Sequence, residues 1–444
     1  MNRTLACLLT ILLSPFCLPQ AHASSLTTKP LVFTHVNVIA ATGTSLQTNM
    51  TVVIASGHIS RVGKFGKTLV PSGAEVIDAT GRFLIPGLWD MHAHLGTDDF
   101  DRDGHLALFI VNGVTGIRIM DGDPAHRLWR RAITSGALIG PRMIIASPII
   151  GQSPISVADA RREVRNAKQS GADFIKVHDG LSREAYFAVV DEARRVKLPV
   201  EGHVPLTITA VEASEAGQRS IEHFTGLDEA KSDTKKAAAL AALFRKNHTW
   251  LCPTIIMRLS YASLDDEKKA RDPRLEYVKP SWVARWLRMS GAAEKTPESE
   301  WLARRSLVQK EKALAGLMQR EGVGILAGTD EISPFVAPGF SLHDELELLV
   351  EAGLTTMQAL QTATLNPAQF LNKANELGTI EKGKLADLVL LDANPLVDIR
   401  NTKKINSVVL NGRLFDRQSL DRMLSEIKAA GARGNQRAAA AGST

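Results

Sequence analysis

Apolar positions fall into short runs near both ends of the chain, and between those ends they alternate with longer helical stretches. From Leu31 to about Leu84, runs such as Val32–Ile39 and Met50–Ile54 cluster or alternate apolar residues, with Gly, Ser and Asn between them. That is the pattern of β-strands. The same texture returns in Ala386–Asp392 and Ile405–Gly412. Two β segments flanking a long middle predict one small β domain built from both ends. From Pro86 to Leu377 the pattern predicts strands at Gly87–His94, Thr115–Met120, Met143–Ala146, Phe174–His178, Val200–His203, Ser220–His223, Trp250–Ile256 and Gly324–Ala327. Helical patterns such as Ser182–Lys197 and Leu342–Ala352 lie between or after them. Eight β/α units are what a (β/α)8 TIM barrel requires. The expected α/β organisation is a barrel over 86–377, a composite β-sandwich from 24–85 and 378–416, and a C-terminal helix and flexible tail over 417–444. The tail is rich in Ala and Gly from about Ala429 and is expected to fray. Arg258–Glu321 is too long for one barrel helix. It is charged, carries Trp282, Trp286 and Trp301, and reads as a helical insertion over the barrel mouth.

The first residues change where this domain is expected to work. Asn2-Arg3 gives a positive start, Leu5 to Leu18 is mostly apolar, and Ala21-His22-Ala23 is an A-x-A cleavage site. This predicts a signal peptide over 1–23, a mature chain from Ser24, and a periplasmic or secreted protein. The apolar run is too short for a comfortable membrane span, with an uncleaved anchor the alternative, and no stable span is expected after cleavage. The length of 444 residues allows a barrel plus a second domain. A net charge of +6 without a Lys/Arg run or an aromatic-interleaved basic stripe excludes nucleic acid as an expected partner. A homo-oligomer is left open. Of three cysteines, Cys7 and Cys17 leave with the signal, so no internal disulfide is expected. Cys252 lies in an apolar run and reads as a buried structural thiol.

Candidate chemistry begins at His92-Ala93-His94. Residues two apart on a strand point the same way, so both imidazoles would face the barrel interior. Ionisable groups recur at later strand ends: Lys176, His203, His223 and Asp330. Each has an ordinary reading alone: a satisfied core histidine, a buried ion pair for Lys176, a helix cap for Asp330. In a barrel all of them converge on one mouth, and one site is the more economical account. His178, two residues past Lys176, shares its face and is either a contact to the site or structural. Arg258 and Tyr261 follow the seventh strand and could grip a substrate carboxylate or carbonyl, or simply start a solvated helix. His343 reads as a capping or packing residue.

These motifs carry a resemblance. Leu84-Ile-Pro-Gly-Leu-Trp-Asp-Met-His-Ala-His94, Gly171-Ala-Asp-Phe-Ile-Lys176, Glu201-Gly-His203, Ile221-Glu-His223, Ala327-Gly-Thr-Asp330 and Leu377–Asp392 resemble the amidohydrolase superfamily. The likeness spans the mature chain and is greatest to the imidazolonepropionase-like and Xaa-Pro/Xaa-Arg dipeptidase-like branch. It implies two divalent metal ions, with zinc the family expectation. His92, His94 and Asp330 would hold one, His203 and His223 the other, and Lys176, carboxylated by CO2, would bridge them. It further implies a shared hydroxide as nucleophile and Asp330 as proton shuttle. One departure is in the loop after the third strand. Many members carry a Gly-Gly-His-like element there, whereas this chain has Gln152 at the histidine's place. The implied function is exported hydrolysis of an amide or peptide bond in a small molecule, a dipeptide or N-acyl amino acid. A lactonase or cyclic amidase would use the same centre. A non-catalytic extracellular binding protein is the alternative of another class.

Overall fold

Residues 29–43 and 46–441 are described by a computed structural model. The expected signal segment lies outside the described residues. Five strands come first: β1 (Leu31–Val38), β2 (Gln47–Ala55), β3 (His58–Lys64), β4 (Glu75–Asp78) and β5 (Phe83–Pro86). Seven follow, interleaved with helices: β6 (Leu88–Ala93), β7 (Val114–Ile119), β8 (Arg142–Ile145), β9 (Ile175–Val177), β10 (Val200–Gly202), β11 (Ser220–Glu222) and β12 (Trp250–Cys252). The last three are β13 (Leu388–Leu391), β14 (Ile405–Leu410) and β15 (Arg413–Phe415).

The outer segments meet in one sheet ordered β15-β14-β13-β5-β1-β2-β3, with β4 also beside β1. The two ends of the chain join where β5 runs antiparallel to β13, Ile85 opposite Val389. The strands do not divide into two separately bonded sheets, because β1 pairs with β2, β4 and β5 along different parts of its length. Phe33, Val36, Val52, Leu84, Leu388 and Val409 form a core of this sheet's own.

The middle strands are parallel, in the orders β6-β7-β8 and β9-β10-β11-β12. They are short and almost wholly buried, as parallel strands covered by helices must be. Backbone hydrogen bonds continue from one sheet to the next. Ser147 N donates to Phe174 O and Asp173 N to Ile145 O, each at 2.8 Å, linking β8 to β9. Leu251 N donates to Gly324 O and Leu326 N to Leu251 O, each at 2.9 Å. Met91 N then donates to Ala327 O at 2.8 Å, returning to β6.

Two expected strands differ in the structure. Gly324–Ala327 makes a single bridge, Leu251 to Ile325, in place of a full ladder. The strand expected over Trp250–Ile256 stops at Cys252, and Ile255–Tyr261 is helix. Thr254 turns left-handed at φ 47°, and the amides of Ile255 and Ile256 donate to the Glu345 carboxylate. An apolar run alone does not distinguish strand from buried helix.

The insertion is helical as expected, with Pro280–Ala293 and Glu298–Arg320 its longest pieces. Trp286, Trp301 and Val278 give it a core of its own, which also takes in Phe335 and Ala337. The C-terminal helix runs from Arg417 to Ala441, past the point where fraying is expected. Alanine's high helix propensity favours that continuation. Among the described residues no helix is long and apolar enough to cross a membrane.

Candidate metal centre

Strand ends bring the predicted residues together. His92 lies within β6 and His94 just beyond it, their rings 5.3 Å apart. The His92 ring is 4.4 Å from that of His223, which is 5.0 Å from that of His203. Asp330 Oδ1 stands 3.2 Å from His94 Nε2 and 3.7 Å from His92 Nε2. Donor atoms of His92, His223 and Asp330 all lie within 4.8 Å of one another. Lys176, at the centre of β9, is 1% exposed.

The backbone makes room for this convergence. A Cβ on Gly328 would sit 2.7 Å from His92 Cβ and 2.6 Å from Cys252 Sγ. Only glycine there lets the segment before Asp330 approach β6, where Asp330 N donates to His92 O at 2.8 Å. Both His223 and Asp330 take left-handed backbone, φ 59° and 56°. Such conformations cost of order 1–3 kcal/mol in non-glycine residues and concentrate at functional sites.

Hydrogen bonds fix the tautomers of three histidines. Glu222 Oε2 is 2.8 Å from His92 Nδ1. Burial opposes the charge on Glu222, but Arg118 and the His92 hydrogen bond hold its carboxyl well below the usual range. An ionised carboxylate only accepts, so His92 Nδ1 donates and Nε2 keeps its lone pair. Asp179, held low chiefly by its hydrogen bond to His203, does the same for His203 Nδ1 at 2.9 Å. Thr254 Oγ1 donates to Pro253 O, so it accepts from His223 Nδ1 at 2.6 Å. Burial, then Lys176, lowers His92 to about 3 and His203 to about 4, so both are neutral at pH 7. Burial also lowers the Lys176 ammonium, against the pull of Glu222 and Asp330. Neither Lys176 Nζ nor His92 Nε2 has a hydrogen-bond partner, although both are buried. Buried polar atoms without partners are rare enough to require an explanation.

Beneath the histidines lies a network that motif reading does not reach. Arg118, on β7 and fully buried, donates to Met91 O at 2.6 Å, Glu201 at 2.7 Å and Glu222 at 2.9 Å. Asp90 accepts from the amides of His92 and Thr329 and from Thr329 Oγ1 at 2.6 Å, tying β6 to the loop that carries Asp330. The available signal was charge inside short apolar strands, which demands partners. Arg118→Met would strand two buried carboxylates, and we expect a loss of about 3–5 kcal/mol in folding stability. Urea denaturation checks this; an unchanged midpoint would contradict it.

The lesser candidates divide. The His178 ring is 4.1 Å from that of His203. Tyr261 is part-exposed, and its phenol is pushed up by burial and by Asp330. Arg258 donates to His223 O at 2.8 Å and lies 3.6 Å from Glu311. Gln152 is exposed, on a loop joined to the turn after β9 by Gly180 N donating to Gly151 O. His343 is a packing residue, its ring nitrogens 3.0 Å from Thr402 Oγ1 and 3.1 Å from Asn112 O. Cys252 is buried and unpaired, its thiol pushed well up by burial.

Comparison with known proteins places the chain in a family. Residues 83–415 match the profile of the Amidohydrolase family. The ochratoxinase of Aspergillus niger is 26% identical over 404 residues, covering 75% of each chain. A bottromycin amidohydrolase superimposes with a TM-score of 0.73 at 25% identity, covering 90% of each chain. A Xaa-Pro dipeptidase with methionine bound in its active site does so at 0.67 and 23% identity, covering 87% of this chain and 100% of that one.

Proposed function

The chain belongs to the amidohydrolase family and is a hydrolase of carbon–nitrogen bonds, and from that premise we propose an exported enzyme with two divalent ions that cleaves dipeptides or N-acyl amino acids. The observation that carries the reading is that Lys176 Nζ and His92 Nε2 are both buried without a hydrogen-bond partner, with Lys176 near enough to act on the charge of His92. Burial favours the neutral amine, which can attack CO2. The new N–C bond and the loss of one proton turn it into a carbamate, an anionic oxygen ligand where an ammonium could hold no cation. His92, His94 and Asp330 would hold one ion, His203 and His223 the other, with carboxylated Lys176 between them. Nitrogen and oxygen donors suit Zn, and Mn, Co or Fe as well. When bound, the ions supply an activated water and polarise the scissile carbonyl.

The chain's own residues do the rest. Glu222, Asp179 and Thr254 aim the histidine Nε2 atoms. Asp330 is ionised: burial opposes its charge, but the His94 hydrogen bond and the neighbouring histidines hold its carboxyl well below the usual range. It can take a proton from the attacking water and give it to the leaving amine. We read β6–β12 and 324–327 as a closed (β/α)8 barrel over 86–377, with the composite β unit of 24–85 and 378–416 beside it. The unbroken round of backbone hydrogen bonds supports this. The N-terminal signal pattern supports export, and sequencing of exported protein should begin at Ser24.

The test is a screen of dipeptides and N-acyl amino acids with the zinc-loaded protein. Release of both a free amine and a carboxylate is expected. Ring-opening without a second product would favour the lactonase or cyclic amidase. Asp179→Ala should weaken metal binding about 10- to 100-fold, by freeing His203 to rotate. A chelator-competition titration reads this, and unchanged affinity would contradict it.

A further inference from the structure

We infer that the helical insertion positions Asp330, with Arg285 and Trp286 as positioning residues acting through the backbone carbonyl of Ile332; this rests on the proton-shuttle reading of Asp330.

The loop after Asp330 is held from two sides. On the strand side, Asp330 N donates to His92 O at 2.8 Å, and Glu331 Oε1 accepts from His94 N at 2.7 Å. These bonds fix residues 330 and 331 and leave the next turn to other supports. That turn matters, because Ser333 Oγ donates to Asp330 Oδ2 at 3.1 Å and Ser333 N to Asp330 O at 2.9 Å. Ser333, on Oδ2, and His94 Nε2, 3.2 Å from Oδ1, together set which way the carboxylate faces.

On the other side stands the helix Pro280–Ala293 of the insertion. The Ile332 carbonyl, one residue before Ser333, accepts from Arg285 Nη2 at 2.5 Å and from Trp286 Nε1 at 3.4 Å. Trp286 is fully buried, so its indole N–H needs a partner, and this carbonyl supplies it. Its ring packs 6.0 Å from that of Phe335, a second left-handed residue of the same loop at φ 58°. Two left-handed non-glycine residues five positions apart make a loop that persists only if its surroundings hold it. The insertion's core, which takes in Phe335 and Ala337, is that surrounding. The helix Ile255–Tyr261, within which the insertion begins, also reaches the His223 backbone, Arg258 donating to His223 O.

The test uses the metal-loaded enzyme and two substrates: the dipeptide or N-acyl amino acid turned over best in the screen, and the p-nitrophenyl ester of the same acyl group. The ester's leaving group needs no proton. Arg285→Met with Trp286→Phe removes both donors while keeping an aromatic ring in the core. Amide kcat should fall on the order of 10- to 100-fold, with KM and metal content unchanged and ester turnover much less affected. Arg285→Met alone should show part of the loss, and Arg285→Lys should restore some of it. These two carry the test if the double variant does not fold. Arg305→Ala, elsewhere on the insertion, should leave kcat unchanged. Wild-type amide kcat in the folded donor-free variants would overturn the inference, as would equal losses on both substrates or loss of metal. Asp330→Asn, run in parallel, separates the two readings. If it keeps amide turnover, the shuttle reading fails and this inference with it. If it is impaired while the donor-free variants are not, only the clamp fails.

Discussion

Asp330→Asn is expected to lower kcat on an amide by about 100- to 10,000-fold, the usual worth of general acid–base catalysis, with most of the metal kept. The reason is the position of one carboxylate. Oδ1 lies 3.2 Å from His94 Nε2, and Oδ2 accepts from Ser333. Asparagine preserves the shape and one ligand oxygen but cannot carry a proton. The attacking water must lose a proton, and an amine leaves poorly unless it gains one. An amide should therefore suffer more than an activated ester, and the acidic limb of the rate–pH profile should change. Steady-state kinetics on both substrates, with metal content measured on the same samples, reads the effect. Normal metal content with unimpaired amide turnover would move the proton shuttle to another residue at the mouth.

Lys176→Ala is expected to abolish turnover and release metal together. Lys176 is the one lysine at the centre of this site, buried on β9 with Nζ unpartnered. Removing it takes away the lysine that the proposal makes a carbamate. Small carboxylic acids such as formate should restore part of the activity by filling the vacancy with an anionic oxygen. Wild-type turnover in Lys176→Ala would show that the bridge is not needed.

Much of the strand order is legible in the sequence. The α/β alternation of 86–377 appears as parallel strands at seven of the eight expected places. Of the two β ends, β5 and β13 pair antiparallel, each strand satisfying the other's backbone. The six proposed ligands come together because strand ends on one side of parallel strands share a face. Periodicity could not reveal what happens after Cys252. There a side chain from a distant helix, Glu345, satisfies the Ile255 and Ile256 amides and turns the chain into helix. The eighth strand was legible as an apolar run but not as a single bridge. Arg118, Glu201 and Glu222 belong to β7, β10 and β11, and only the fold brings those strands together. Arg258 illustrates the converse: a cation near the candidate site that also donates to His223 O and lies 3.6 Å from Glu311.

The most direct measurement is the metal content of the purified protein by plasma mass spectrometry, with amide turnover followed before and after chelation. The account predicts about two divalent ions per chain, turnover lost on chelation, and recovery when the ions return. Full amide turnover in exhaustively metal-free protein would contradict it.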